Sequence, residues 1–237
     1  MSELAIRRAV KGATALCAIM FLAAVVHAPA PHVSRAADLA WAMPVAVLIA
    51  VGGAALPRAP IADPDGTLVR AATFVGVILG LGWIVEISVT AALPVPVTQV
   101  GWRDLFDNSV WGLIALAMVV AAAVTARRTR SFSAGAWLGA WAGLVSGLFA
   151  CIASLVLDTV LIGLVTRDPS EQAEFALRGP AQGYHDVAAY AARQTLFGSL
   201  FHLIFLGVLM GAALGAAGAW VGVQTRRPSV HVGGQRA

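Results

Sequence analysis

Residues 134–165, AGAWLGAWAGLVSGLFACIASLVLDTVLIGLV, hold one ionisable side chain, Asp158, in 32 positions. A run of that length and apolarity suits a helix crossing lipid better than a helix in a soluble core, since ~20 residues span the hydrocarbon. Within it Gly135, Gly139, Gly143 and Gly147 recur every fourth residue. On a helix this spacing makes one ridge almost free of side chains, against which a second helix can lie closely.

The rest of the chain has the same character. Apolar residues make up 59% and charged residues 12%, about half the ~25% of an average globular protein. The expected fold is therefore all-α: a polytopic bundle of six transmembrane helices in one domain over residues 1–225, with a polar tail at 226–237. Apolar runs place the spans at 12–28, 39–56, 71–93, 109–126, 134–160 and 195–223. Gly76 and Gly80 in span three, and Gly207, Gly211 and Gly215 in span six, repeat the four-residue spacing. The reading is that spans three, five and six pack through these glycines.

The basic N-terminus followed by an apolar run also has the outline of a signal peptide, with Ala28-Pro29-Ala30 as a loose cleavage pattern. Proline inside that triplet argues instead for a retained first helix. Pro44 is expected near the start of span two, where a missing amide costs little. Asp63-Pro64-Asp65-Gly66 reads as a tight turn, and residues 94–108, with Trp102, Arg103 and Asp104, as a headgroup-level segment. Trp137 and Trp141 read as interfacial anchors. In the long connector 166–194, Asp168, Pro169 and Glu171 supply an N-cap, a first-turn proline and an N3 acid, and Gly179-Pro180 a stop, so a short surface helix is expected there.

A net charge of +4 raises nucleic-acid binding, but the arginines flank apolar runs and form no stripe interleaved with aromatics, so no nucleic-acid partner is expected. They fit topology signals instead. With six spans and the N-terminus inside, eleven of the 16 Lys and Arg residues fall on the cytoplasmic side. Both termini are then cytoplasmic, in what is expected to be a bacterial inner membrane.

Chemistry in such a chain must come from polar residues that lipid penalises. Glu86 is an acid inside span three, with Ser88 and Thr90 beyond it; Asp158 and His202 fall at similar depth on spans five and six. A charged residue mid-span costs ~2.5–3.5 kcal/mol on insertion scales. Together these five residues are expected to line an outward-facing site that binds or moves a small solute or ion.

No cofactor is expected. His27 and His202 are the two histidines that a b-type haem between spans one and six would use. No His-Glu-x-x-His, Gly-x-Ser-x-Gly or phosphate loop is present, so no catalytic residues are assigned, although Tyr184-His185-Asp186 is polar enough to invite the thought. Cys17 and Cys151 lie in apolar runs and read as small hydrophobes. The expected partners are the lipid bilayer and, through the glycine ridges, either a membrane protein or a second copy of the chain.

Overall fold

The computed structural model describes residues 2–27, 31, 34–55, 65–92 and 100–225. The cleavage-like triplet 28–30, Asp63-Pro64, Pro94, Pro96 and the tail 226–237 lie outside these. All described elements are helical. Five long helices come first: α1 (Glu3–His27), α2 (Arg35–Ala55), α3 (Thr67–Ala92), α4 (Val100–Thr129) and α5 (Phe132–Thr159). The short α6 (Ile162–Val165) and α7 (Pro169–Arg178) and a 3₁₀ turn (Pro180–Gln182) follow. A last continuous rod comprises α8 (Val187–Leu200), a ten-residue π-helical segment (Phe201–Met210) and α9 (Gly211–Gln224). Six of these segments are long and apolar enough to cross a membrane.

The helices run past the apolar segments that announced them. α4 begins at Val100, so the stretch read as a headgroup-level connector is partly its first turns. α2 begins at Arg35, which puts Pro44 in the helix interior and corrects the expectation that it sits near the start. There it removes one backbone hydrogen bond of the ladder. The turn before α3 does use glycine's freedom, with Gly66 at φ 61°. Between α4 and α5 the chain reverses within two residues: Arg130 takes φ 56° and the Ser131 hydroxyl caps α5 by accepting from Ala134 N at 3.2 Å.

α5 is the axis of the bundle. Of its apolar window 72% is buried, whereas no other span exceeds 39%. α3 lies along one side of it, with Gly76 against Val145 and Ala142 and Gly80 against the Phe149 ring. The final rod lies along another. A Cβ on Gly139 would stand under 3.0 Å from Gly215 Cα and Gly211 O, and one on Gly143 under 3.0 Å from Gly207 O and Gly211 Cα. Gly147 is similarly close to Gly207, and Gly135 meets Ala122 of α4 and Ala219 of α9. On α9, Gly218 and Gly222 turn instead to the α4 backbone at Val119 and Ala123, so the rod is wedged between α4 and α5.

α1 packs on α2 and α5 through Val10, Cys17, Phe21 and Val25. Cys17 and Cys151 are both fully buried, and their Sγ atoms are 2.8 Å apart. Trp137 and Trp141 are interior, which corrects their reading as interfacial anchors. They stack at 5.3 Å, and Trp141 Nε1 donates to Thr73 Oγ1 at 2.9 Å. Their i, i+4 spacing turns both rings the same way, and Trp141 is held there by α3 and by Arg7 of α1, 5.9 Å above its ring.

Candidate functional site

At the end of the bundle opposite the Arg130 turn, six elements, α6 with Val165 among them, surround a polar cavity of about 260 Å³. α3 contributes Glu86 and Thr90, one turn apart on the face that also carries Trp83. The first turns of α4 bring Arg103, and α5 brings Ser154 and Leu157. α7 covers the cavity with Asp168, Ser170 and Glu171; Thr195, Gly198 and His202 close it from the last rod.

Glu86 is only 6% exposed; its Oε2 is buried with no N–H or hydroxyl donor in reach, and its carboxyl hydrogen-bonds to the Asp107 side chain. Thr90 Oγ1 lies 2.9 Å from the Glu86 carbonyl and 3.5 Å from Oε1. Asp107 of α4 adjoins the Glu86 carboxyl and acts electrostatically on His202 as well. Two adjoining carboxyls in apolar surroundings repel unless a proton or another cation stands between them.

His202 sits in the second position of the π segment. Its Nδ1 is 2.7 Å from Gly198 O, so Nδ1 carries a proton and donates. Trp83 packs edge-on against the imidazole at 5.2 Å and Trp111 at 6.4 Å, and the two indoles meet at 5.5 Å. Trp111 Nε1 is a further buried donor that makes no hydrogen bond. π turns concentrate at functional sites because widening the ladder re-aims side chains.

α7 is fastened over the cavity by local chemistry. Asp168 caps it, Oδ1 accepting from Ser170 N at 3.1 Å, while Oδ2 takes Arg103 Nη1 at 2.5 Å. Arg103 Nη1 also donates to Ser170 Oγ at 3.1 Å. Burial alone would raise the Asp168 carboxyl, but the hydrogen bonds from Arg103 and Ser170 outweigh it and hold the group below its ordinary value. Glu171 goes the other way, raised by burial and by the neighbouring Glu174 and Asp168 charges. A second ion pair at this end, Arg193 Nη2 to Asp38 Oδ1 at 3.0 Å, joins α8 to α2, with the guanidinium 5.3 Å from the Trp41 ring and 5.2 Å from the Phe197 ring, which stack on each other.

Of the residues singled out by sequence, Glu86, Thr90 and His202 line this cavity. Ser88 is exposed on the other side of α3. Asp158 lies in the last turn of α5, and its side chain is outside what is described. His27 is exposed and lines a different cavity of about 390 Å³ with Thr159 and Asp186. Tyr184 is buried against Tyr190, and Asp186 caps α8, so those two of the polar triplet have structural roles.

Asp107, Arg103 and Asp168 were missed as site residues. The signal was present: Arg103, Asp107 and Trp111 repeat at i, i+4 and i+8, one helix face, once the stretch is read as helix. Among the described residues no group of three or more His, Cys, Asp or Glu is placed to hold a metal ion. No family model, curated protein or solved structure matches the chain.

Proposed function

We propose that this chain is a small multi-pass membrane protein that binds, and passes across the bilayer, a small cation or cationic solute, the proton included, through the cavity around Glu86. The observation that carries this is the buried Glu86 carboxyl, which lines the cavity and is hydrogen-bonded to a second carboxyl, Asp107, a pair that needs a proton or another cation between its oxygens. An acid retained in an apolar helix at that cost is a functional feature by default in a membrane protein. The cavity volume, about 260 Å³, falls below the ~300–1,000 Å³ of sites for drug-sized ligands and suits an ion with its waters or a very small molecule.

The charge distribution orients the site. With Arg127, Arg128 and Arg130 on the cytoplasmic side, both termini are cytoplasmic and α7 and the Glu86 cavity face outward. The glycine-lined contacts of α5 with α3 and the final rod then close the inner half of the bundle.

Binding is tested by the thermal unfolding of purified protein in detergent with Na⁺, K⁺ or ammonium at constant ionic strength, and across pH. A species that binds the folded state raises Tm, and does so increasingly as its concentration exceeds Kd. The expected result is that one species stabilises the wild type by several degrees and leaves Glu86→Gln unmoved. Equal responses of the two proteins would overturn the reading.

A second reading, a non-catalytic subunit of a larger membrane assembly, draws on the same glycines. Gly139, Gly143 and Gly147 meet Gly207, Gly211 and Gly215 within the chain, so these positions face an intramolecular partner. That favours the binding reading.

A further inference from the structure

Away from the Glu86 cavity, α1, α3 and α5 leave an apolar groove of about 570 Å³ between them. Its walls include Ile6 and Val10 of α1, Phe74 and Val77 of α3, and Leu148 and Phe149 of α5. Phe74 is 67% exposed, so the groove opens sideways from the bundle, where a membrane protein meets acyl chains. Among the described residues on its wall one is ionisable, Arg70, and it lies at one end.

A second cation is gathered at that end. Arg70 Nη2 donates to Asp65 O at 2.8 Å, and the next residue, Gly66, packs against the Glu3 side chain. Glu3 in turn binds Arg7, the neighbour of groove residue Ile6, at 2.6 Å. Arg7 Nη1 is nonetheless buried and makes no hydrogen bond, while the guanidinium stands over Trp141. Arg8 and Lys11 follow on α1 and are exposed. Arg70 thus stands at the mouth of the groove, with the Glu3–Arg7 pair beside it.

We infer that this groove is a binding site for an anionic phospholipid, its acyl chains along α1, α3 and α5 and its phosphate at Arg70. Basic residues at the mouth of a groove between transmembrane helices select anionic headgroups over zwitterionic ones. Acyl chains are narrow and conform to an irregular apolar wall of this kind, which opens where lipid lies.

The probe is native mass spectrometry of the delipidated full chain with phosphatidylglycerol or phosphatidylcholine of identical acyl chains. Wild-type protein is expected to retain phosphatidylglycerol at least fivefold more strongly. Arg70→Ala should bring that ratio close to one and Arg70→Lys should keep it. Val77→Trp, which fills the groove while leaving the cations, should weaken retention of both lipids. Equal retention of the two lipids by wild type, or an unchanged preference in Arg70→Ala, would overturn the inference. So would a dimer of the wild type that Val77→Trp dissociates. Should Arg70→Ala fail to fold, the wild-type ratio and the Arg70→Lys result still decide.

Discussion

Glu86 was legible in the sequence because an acid stands out in an apolar run, and burial of its carboxylate follows from the same fact. Its surroundings were not legible. Asp107 and Arg103 sit next to residues with strong loop character, and only the start of α4 at Val100 turns their spacing into a helix face. Asp168 was readable as a cap, since capping is a local affair of three residues. Its pairing with Arg103, 65 positions away, is a tertiary fact.

That pairing predicts a pH response of α7. The folded-state value of Asp168 is lowered, so its contribution is fully present above the ordinary 3.8 and is lost as pH falls through the lowered value. Glu171 is raised, so its protonated form is favoured and the folded state loses stability as pH rises from 4.5 through the raised value. Hydrogen exchange of α7 amides, corrected for intrinsic rates, should therefore show greatest protection at about pH 4 to 5. Protection that only rises or only falls across the range would contradict the assignment. Asp168→Ala should abolish the acid-side loss and cost about 1 kcal/mol for the cap alone.

At the scale of elements, the glycine spacing on α5 announced a surface for close approach, but not which helix fills it. In the structure the last rod supplies Gly207, Gly211 and Gly215 to the ridge, and the π segment sets their register. A π segment has no sequence signal of its own, being a response to packing. Leucine at Gly143 has no room beside Gly207 and should destabilise by at least the ~1–3 kcal/mol of overpacking. Gly112→Ala on α4, where nothing lies within 4 Å, should instead gain roughly 0.5–1 kcal/mol from reduced chain entropy. Thermal unfolding in detergent separates the two. A Gly143→Leu protein as stable as wild type would refute the close packing of α5 on the rod.

The α1–α5 contact has its own test. Because Cys17 and Cys151 Sγ atoms adjoin across the two helices, iodine oxidation should join them within one chain, yielding a protein two hydrogens lighter that resists alkylation when denatured. Two alkylated cysteines after oxidation would mean that α1 packs elsewhere. The sequence showed two cysteines in apolar runs and nothing of their meeting, because a separation of 134 residues leaves no local trace.

Over the whole molecule, composition and hydropathy were enough to announce six apolar helices, since the bilayer imposes length and apolarity on each span separately. Their arrangement around α5 depends on which faces pair, and that is a property of the ensemble of helices. In this arrangement α5 carries the small residues that close one end, and at the other end α3, α4, α7 and the rod separate around Glu86. The most direct test of the account is cation flux in proteoliposomes containing the purified chain. H⁺, Na⁺ and K⁺ gradients are imposed in turn and wild type is compared with Glu86→Gln in equal amounts. Wild type is expected to dissipate the gradient of one of these ions, and Glu86→Gln to reduce the rate at least tenfold while unfolding at a similar temperature. A wild type that dissipates none of them, or a Glu86→Gln rate equal to it, would contradict the account.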